Sequence, residues 1–405
     1  MTTMRIVHID ETFHPQYGYQ VNPLAKFQRK AGHEVYIVTV SKDKIYPVYE
    51  EFGDRGEDLD RHDAQYEAES GVKIVRVPVR GYISGRAIYT GKLFEVVRGL
   101  EPDVVFAHLV ESFASIMLLL RRKEYPLVFD SHMLAMASAN RLAGLYEFFY
   151  KAVISRIIRK NKYIVIRAQD DDYVITHLGI PPEQAPYISF GSDTSVFKPD
   201  PEARARFRKE HAIAPDEFAV IFTGKLSEGK GAMLLASGAQ EVLRAKNGKK
   251  ALFIVVGNAA DRYGEEIEHM LADSENRVLR FPTQNYMDLA GFYQAADLSV
   301  FPKQCSLSFF DAQACGLPVL SEDNNINIER CSHGNGMNFE AGNSEDFRKK
   351  ILGFMEMDED DFLAMSANSV AYIKEGYDYE YISGLYTGIL ESEYRRLNAE
   401  GRGRR

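Results

Sequence analysis

Residues 218–231 read FAVIFTGKLSEGKG, and the fold is decided there. Phe218–Thr223 is an unbroken apolar and β-branched run closed by a glycine, the pattern of a strand buried on both faces. A glycine-rich loop with two lysines follows, and helical composition begins at Ala232, here read as a helix through Lys246. The unit then repeats. Strand ALFIVVGNA (251–259) is followed by a helix at 264–273, strand 278–281, helix 286–296, strand 298–301, helix 308–315 and strand 319–320. Strands alternating with helices imply a parallel sheet covered on both faces.

The first half of the chain alternates in the same way. Strands are read at 5–9, 34–40, 73–77, 104–107, 127–130 and 163–167, with helices at 21–31, 87–99 and 145–160. Gly32 ends the first helix, and Pro102-Asp103 and Pro126 lead into strands. The segment ISFGSDTSVFKP (188–199) breaks the alternation. The expectation is an α/β chain of two facing Rossmann-like, doubly wound domains with a cleft between them. Their bounds are read as 1–198 and 199–376, with 377–405 a final helix returning to the N-terminal domain and ending in the basic AEGRGRR.

Composition narrows the function. The 405 residues suit two domains, and 45% hydrophobic with 26% charged residues is a globular balance. A formal charge of −9 argues against a nucleic-acid binder. Cys305, Cys315 and Cys331 match no zinc spacing and are odd in number, which favours a reducing, cytoplasmic compartment. MTTMRIVHIDETF reads as a strand start rather than a signal peptide, and no apolar stretch approaches the roughly 20 residues of a membrane span.

Ligands of open parallel sheets lie beyond the carboxyl ends of the strands. Those positions are 14–18, His108, 130–132, 224–230, 257–258, 281–284 and 302–311. In 224–231 the backbone amides with Lys225 and Lys230 suit a diphosphate, although the spacing is not that of a P-loop. A surface turn with solvated lysines is the competing reading. Ser306, Leu307 and Ser308 open a helix whose amides face phosphate, and Asp311 one turn inside suits a ribose diol or, alternatively, the helix dipole. His132 ends a strand, where it either bonds a sugar hydroxyl or merely packs. Gly18 lies between the first strand and the first helix, where glycine permits close approach to a ligand. Asp170-Asp171-Asp172 reads as acids opening a helix rather than a metal site, and no metal is expected. The basic, apolar FFYKAVISRIIRKNK (148–162), with Arg121-Arg122-Lys123, suits either contact with anionic lipid or packing on the sheet.

Taken in order, these pieces resemble the retaining GT-B glycosyltransferases of family 4. The set is Gly18, AGHEV (31–35), PDVV (102–105), FDSH (129–132), GSDT (191–194) with Phe197 and Pro199, 224–231, ADL (296–298) and the run Asp311–Val319. The resemblance implies that Gly18 approaches the donor phosphates and His132 touches the transferred sugar. It implies that Lys230 and Lys225 bind the diphosphate and Asp311 the ribose. Gly224, Arg280, Ser306, Leu307 and Ser308 complete the nucleotide side. The implied donor is a nucleotide-diphosphate sugar, UDP-sugar first, and the acceptor a glycan or lipid-linked glycan. The chain departs from the family in four places. Lys225 replaces an arginine, Asp311 a glutamate and Tyr19 a second glycine, and Lys303 stands eight positions before Asp311 where the family has its other glutamate. The rival readings are a degenerate family member serving as a scaffold, which Lys303 favours, and an epimerase, which would need paired carboxylates. A dinucleotide dehydrogenase is disfavoured because no GxGxxG follows the first strand.

Overall fold

The computed structural model describes residues 3–47, 49, 56–121, 125–134, 143–259, 261–303 and 306–399. They form two compact units. One comprises the chain through Phe190 together with the final helix from Tyr379, and the other runs from Gly191 to Asp378.

The sheet of the first unit contains β1 (Arg5–Ile9), β2 (Glu34–Val40), β3 (Lys73–Val77), β6 (Val104–Ala107), β7 (Leu127–Ser131) and β8 (Val165–Arg167). Every pairing is parallel, and the order is β3-β2-β1-β6-β7-β8. This is the doubly wound order, whose switch point lies between β1 and β6. Alternate residues of one strand face opposite sides. Val7, Ile9, Val105 and Phe129 pack on one face with Leu93, Leu118 and Ile154. Ile6, Phe106, Val128 and Ile166 pack on the other with Leu24 and with Tyr379, Ile382, Tyr386 and Leu390 of the final helix, Tyr379–Ala399. That helix is therefore part of the first unit's core.

Residues 79–89 differ from expectation. The sequence pattern places a helix start at Ala87. Instead β4 (Val79–Ile83) and β5 (Arg86–Tyr89) form an antiparallel hairpin, and the helix is only Lys92–Gly99. The hairpin turns at Ser84 and Gly85, both at positive φ.

The second unit repeats the architecture with β9 (Glu217–Thr223), β10 (Lys250–Val256), β11 (Arg277–Phe281), β12 (Leu298–Phe301), β13 (Val319–Glu322) and β14 (Gly336–Phe339). The order β11-β10-β9-β12-β13-β14 is again parallel throughout, with its switch point between β9 and β12. Val220, Phe222, Phe253 and Val255 pack against Leu235, Ile267, Phe347 and Ile351. The helix after the decisive strand is Ala232–Ala239, shorter than the expected run to Lys246. Its last carbonyls are claimed from outside: Asn276 Nδ2 donates to Ala239 O at 2.7 Å and Arg348 to Gly238 O at 2.9 Å. No helix among the described residues is long and apolar enough to cross a membrane.

Candidate active site

The second unit's loops meet at its switch point. Gly224 follows β9 at φ 152°, and Gly257 follows β10 at φ 143°. A Cβ on Gly257 would lie 1.9 Å from Gly224 O, so the two loops touch backbone to backbone. Gly231, in the left-handed region at φ 71°, opens the helix Ala232–Ala239, and a Cβ there would lie 2.9 Å from Pro302 of the loop after β12. The structure thus brings Gly231 against the 302–303 segment and the Lys230 stem against Gly224, where a Cβ would lie 3.8 Å from Lys230 Cγ. The lysines are half-buried.

Most amides expected to cradle phosphate are already used. Gly224 N donates to Val256 O, Leu226 N to Asn258 O, Lys230 N to Ser227 O and Gly231 N to Glu228 O. At the helix Ser308–Ala314, the N–H of Ser308 donates to Ser306 Oγ, that of Phe309 to Ser306 O and that of Phe310 to Leu307 O. The turn Ser306–Leu307 caps its own helix. Positive charge at this site therefore comes from the lysines, with the Ser306 and Ser308 hydroxyls, which bond each other, as neutral partners.

Asp311 is buried at 2% exposure. Its Oδ1 accepts from Ser192 Oγ at 2.7 Å and Tyr286 OH at 3.0 Å. Burial pushes its carboxyl up to about 7, against these two hydroxyls, which favour the charged form. Arg280 is drawn into the fold. Its guanidinium bonds Glu268 through Nε and one terminal nitrogen, and it also donates to the carbonyls of Val255, Phe281 and Gly257. Its N–H groups are committed to bracing β10 against β11, because a planar guanidinium between two strand ends meets carbonyls on both sides. Lys303 is anchored through its carbonyl, which accepts from Asn324 Nδ2 at 3.3 Å. Gln304 and Cys305 lie outside the described residues.

In the first unit, Gly18 is buried at φ 52° in the loop between β1 and the helix Val21–Lys30. His132 stands directly after β7, with its side chain 28% exposed. Its Nε2 lies 3.3 Å from Asp130 Oδ2 and its ring packs edge-on against Phe190. Behind it runs a buried polar chain that the sequence reading did not connect. Asp130 Oδ2 is 2.6 Å from His108 Nδ1, His108 Nε2 is 2.9 Å from His8 Nδ1, and His8 Nε2 is 2.6 Å from Gln28 Oε1. Burial disfavours charge on both His108 and Asp130. Their mutual attraction prevails, raising His108 and holding Asp130 well below the usual carboxylate range. Burial, with His108 nearby, drives His8 down to about 3. The facing atoms of His108, Asp130 and His132 all lie within 4.8 Å of one another, a spacing that could hold a metal ion. The contacts of 2.6 and 3.3 Å are at hydrogen-bond distance.

A second buried cluster was also missed. Arg86 of β5 lies 3.5 Å from Glu11 and 3.3 Å from Glu111, and Ala87 N donates to Glu11 Oε2. These contacts pin the hairpin over the ends of β1 and β6. Burial raises both acids, Glu11 to about 7, and Arg86 opposes the rise. Only the hairpin places Arg86 here, and the hairpin was itself unrecognised in the sequence.

The description "Glycosyl transferase 4-like domain" matches residues 17–191, and "Glycosyl transferases group 1" matches residues 217–357. Between them they take in Gly18, His132 and the loop 224–231. The chain belongs to glycosyltransferase family 4. This family 4 chain is 30% identical over 208 residues to a D-inositol 3-phosphate glycosyltransferase of Segniliparus rotundus, covering 48% of this chain and 45% of that one. It is 27% identical over 252 residues to the enzyme of the same name from Corynebacterium aurimucosum, covering 58% and 59%. The chain thus spans about half the length of the curated relatives it matches. Among solved structures, a Rickettsia africae glycosyltransferase superposes with a TM-score of 0.72 at 12% identity, over 97% of this chain and 99% of that one. Anabaena HepE in complex with UDP and glucose gives 0.71 at 18%, over 96% and 100%. The shared fold is GT-B.

Proposed function

We propose that this chain transfers a sugar from a nucleoside-diphosphate sugar, UDP-sugar first, to a hydroxyl of a glycan or lipid-linked glycan, with retention and without a metal ion. The observation that carries the reading is the second unit's switch point. Gly231, next to Lys230 in sequence, packs against the 302–303 segment, and the Lys230 stem lies against Gly224 in the loop that also carries Lys225; the helix with Asp311 follows that segment in the chain. Breaking the glycosidic bond leaves negative charge on the diphosphate, and Lys225 and Lys230 stabilise it. Ser306, Leu307 and Ser308 flank the diphosphate, and Asp311 offers its second carboxylate oxygen to the ribose. Gly18, in the left-handed region at φ 52°, has the backbone freedom for close approach to a phosphate. His132 bonds the transferred sugar. The acceptor oxygen attacks the anomeric carbon from the leaving-group face, and its proton passes to a phosphate oxygen of the departing diphosphate. The complex of HepE with UDP supports the choice of donor.

A titration of UDP, GDP, ADP, CMP and dTDP in the presence of EDTA tests this. One nucleotide should bind saturably, and Lys230→Ala should weaken it by about 2 kcal/mol, the worth of a hydrogen bond to a charged group. No binding by folded protein would transfer the assignment to the scaffold reading.

We also infer contact with an anionic membrane surface. Leu145, Phe148, Phe149 and Val153 are 69%, 71%, 45% and 42% exposed, at the spacing of one helical face. Lys151, Arg156, Arg159 and Lys160 are exposed on the same run, which supplies the charge complement. Arg122 and Lys123 of the other expected basic cluster lie outside the described residues.

A further inference from the structure

The buried chain Gln28–His8–His108–Asp130 spans the helix Val21–Lys30, β1, the end of β6 and β7, and its outer end meets His132. Its members are closed to water. His8 and Asp130 are 0% exposed, Gln28 0% and His108 3%. The His8 and His108 rings lie 11° from parallel with centroids 5.2 Å apart and their nitrogens facing at 2.9 Å, so they meet edge to edge along the line of the chain. A buried polar chain of this length is costly unless its atoms find partners, and among these four side chains only Gln28 Nε2 has none among the described residues, so the protons along the line can be counted.

An ionised carboxylate only accepts. Asp130 Oδ1 takes the Leu109 N–H at 2.9 Å. Oδ2 takes both ring contacts, so His108 donates through Nδ1–H and His132 through Nε2–H. The count continues inward. Gln28 presents its carbonyl oxygen to His8, so His8 donates through Nε2–H and its Nδ1 carries a lone pair. With Gln28 so placed, His108 also donates through Nε2–H to the His8 lone pair, an imidazolium paired with Asp130, in keeping with the basicity that, against burial, Asp130 raises. The pair carries no net charge, and Asp130 is gripped from the Leu109 amide and from His108, so its Oδ2 cannot swing away from His132. A neutral imidazole has one N–H. With that proton on Nε2, the Nδ1 of His132 is a lone pair.

We propose that Asp130, held by His108, His8 and Gln28, is a positioning residue that locks His132 in its Nε2–H tautomer, so that Nδ1 accepts a hydrogen bond from a hydroxyl of the transferred sugar. This rests on the reading that His132 touches that sugar. The consequence for selectivity is definite. The site recognises a group that donates, namely a hydroxyl, and fails to recognise one that only accepts.

The full chain labelled with 15N-histidine, dialysed against EDTA, shows directly which ring nitrogen carries the proton, and His132→Ala assigns the His132 signals. The expected wild-type spectrum has His132 protonated on Nε2 and bare on Nδ1. Asp130→Asn, whose amide donates toward the ring, should shift that proton to Nδ1. It should lower kcat/KM about 10–100-fold while leaving the Kd for UDP unchanged. Across a set of donors deoxygenated or fluorinated at single hydroxyls, one position should lose activity equally for hydrogen and for fluorine, because fluorine cannot donate. A wild-type His132 protonated on Nδ1 overturns the proposal, and that measurement needs no variant to fold. So does Asp130→Asn with wild-type kcat/KM when His132→Ala is impaired; in that case the His132 reading survives and the positioning fails. Full transfer by His132→Ala removes the His132 reading itself, while the spectrum still judges the tautomer. Zinc that binds at one equivalent and restores activity lost on EDTA dialysis overturns the proton count, since the three groups would then be ligands.

Discussion

Asp311→Asn should make the protein more stable, and more so as the pH rises. The wild-type carboxyl is buried, and burial lifts it from 3.8 to about 7 in the folded chain. Between those two values the folded state holds a proton that the unfolded state has released. Stability therefore falls as the pH rises through that window, and the loss is complete above the folded value. A rise of about three units at about 1.4 kcal/mol each corresponds to about 4 kcal/mol at pH 8. Asparagine keeps an oxygen for Ser192 and Tyr286, whose hydroxyls bond Oδ1, and carries no charge. The variant should match the wild type near pH 4 and exceed it at pH 8. At roughly 2–4 °C per kcal/mol for a unit of this size, the gain in Tm is on the order of 10 °C. Thermal unfolding followed by near-UV circular dichroism at closely spaced pH values measures both curves. A difference between variant and wild type that stays constant from pH 4 to 8 would refute the reasoning, because a charge cost must vanish where the acid is protonated.

Three further outcomes are expected. His132→Ala should spare UDP affinity and cut kcat for transfer at least tenfold; an unchanged kcat returns the residue to packing. Gly257→Ala should cost more than about 3 kcal/mol in denaturant unfolding, since its Cβ would sit 1.9 Å from Gly224 O and its φ is 143°. Phe148→Glu should weaken binding to anionic vesicles about tenfold in a flotation assay and leave binding of UDP in solution alone, given the side chain's 71% exposure.

The strands were legible because a buried parallel strand is written locally. FAVIFTG and ALFIVVG each need only their own residues to be recognised. The helix after β9 was overextended because its stop is not local. Asn276 and Arg348, 37 and 110 residues from their acceptors, take the carbonyls that would have continued it. The hairpin 79–89 was missed because its strands are half-exposed and mix glycine, arginine and tyrosine, so neither helical nor strand period stands out. The glycines and lysines of 224–231 were visible as a group since one loop carries them. Whether amides or ammonium groups would meet a phosphate was not visible, because that depends on which amides the fold consumes. His8 drew no attention as a polar residue inside a strand. Its partners lie 20 and 100 positions away and meet it only once β1 and β6 are paired.

The placement of the helix Tyr379–Ala399 within the first unit bears on how the protein is made. A ribosome must finish residues 191–378, the whole second unit, before that helix emerges. At roughly 5–20 residues per second this takes about 10–40 s. Throughout that interval the nascent first sheet has one face, with Ile6, Phe106, Val128 and Ile166, lacking Tyr379, Ile382, Tyr386 and Leu390 as its cover. The newborn chain is then a natural client for a chaperone that shields apolar surface, and its release should coincide with the arrival of the last helix.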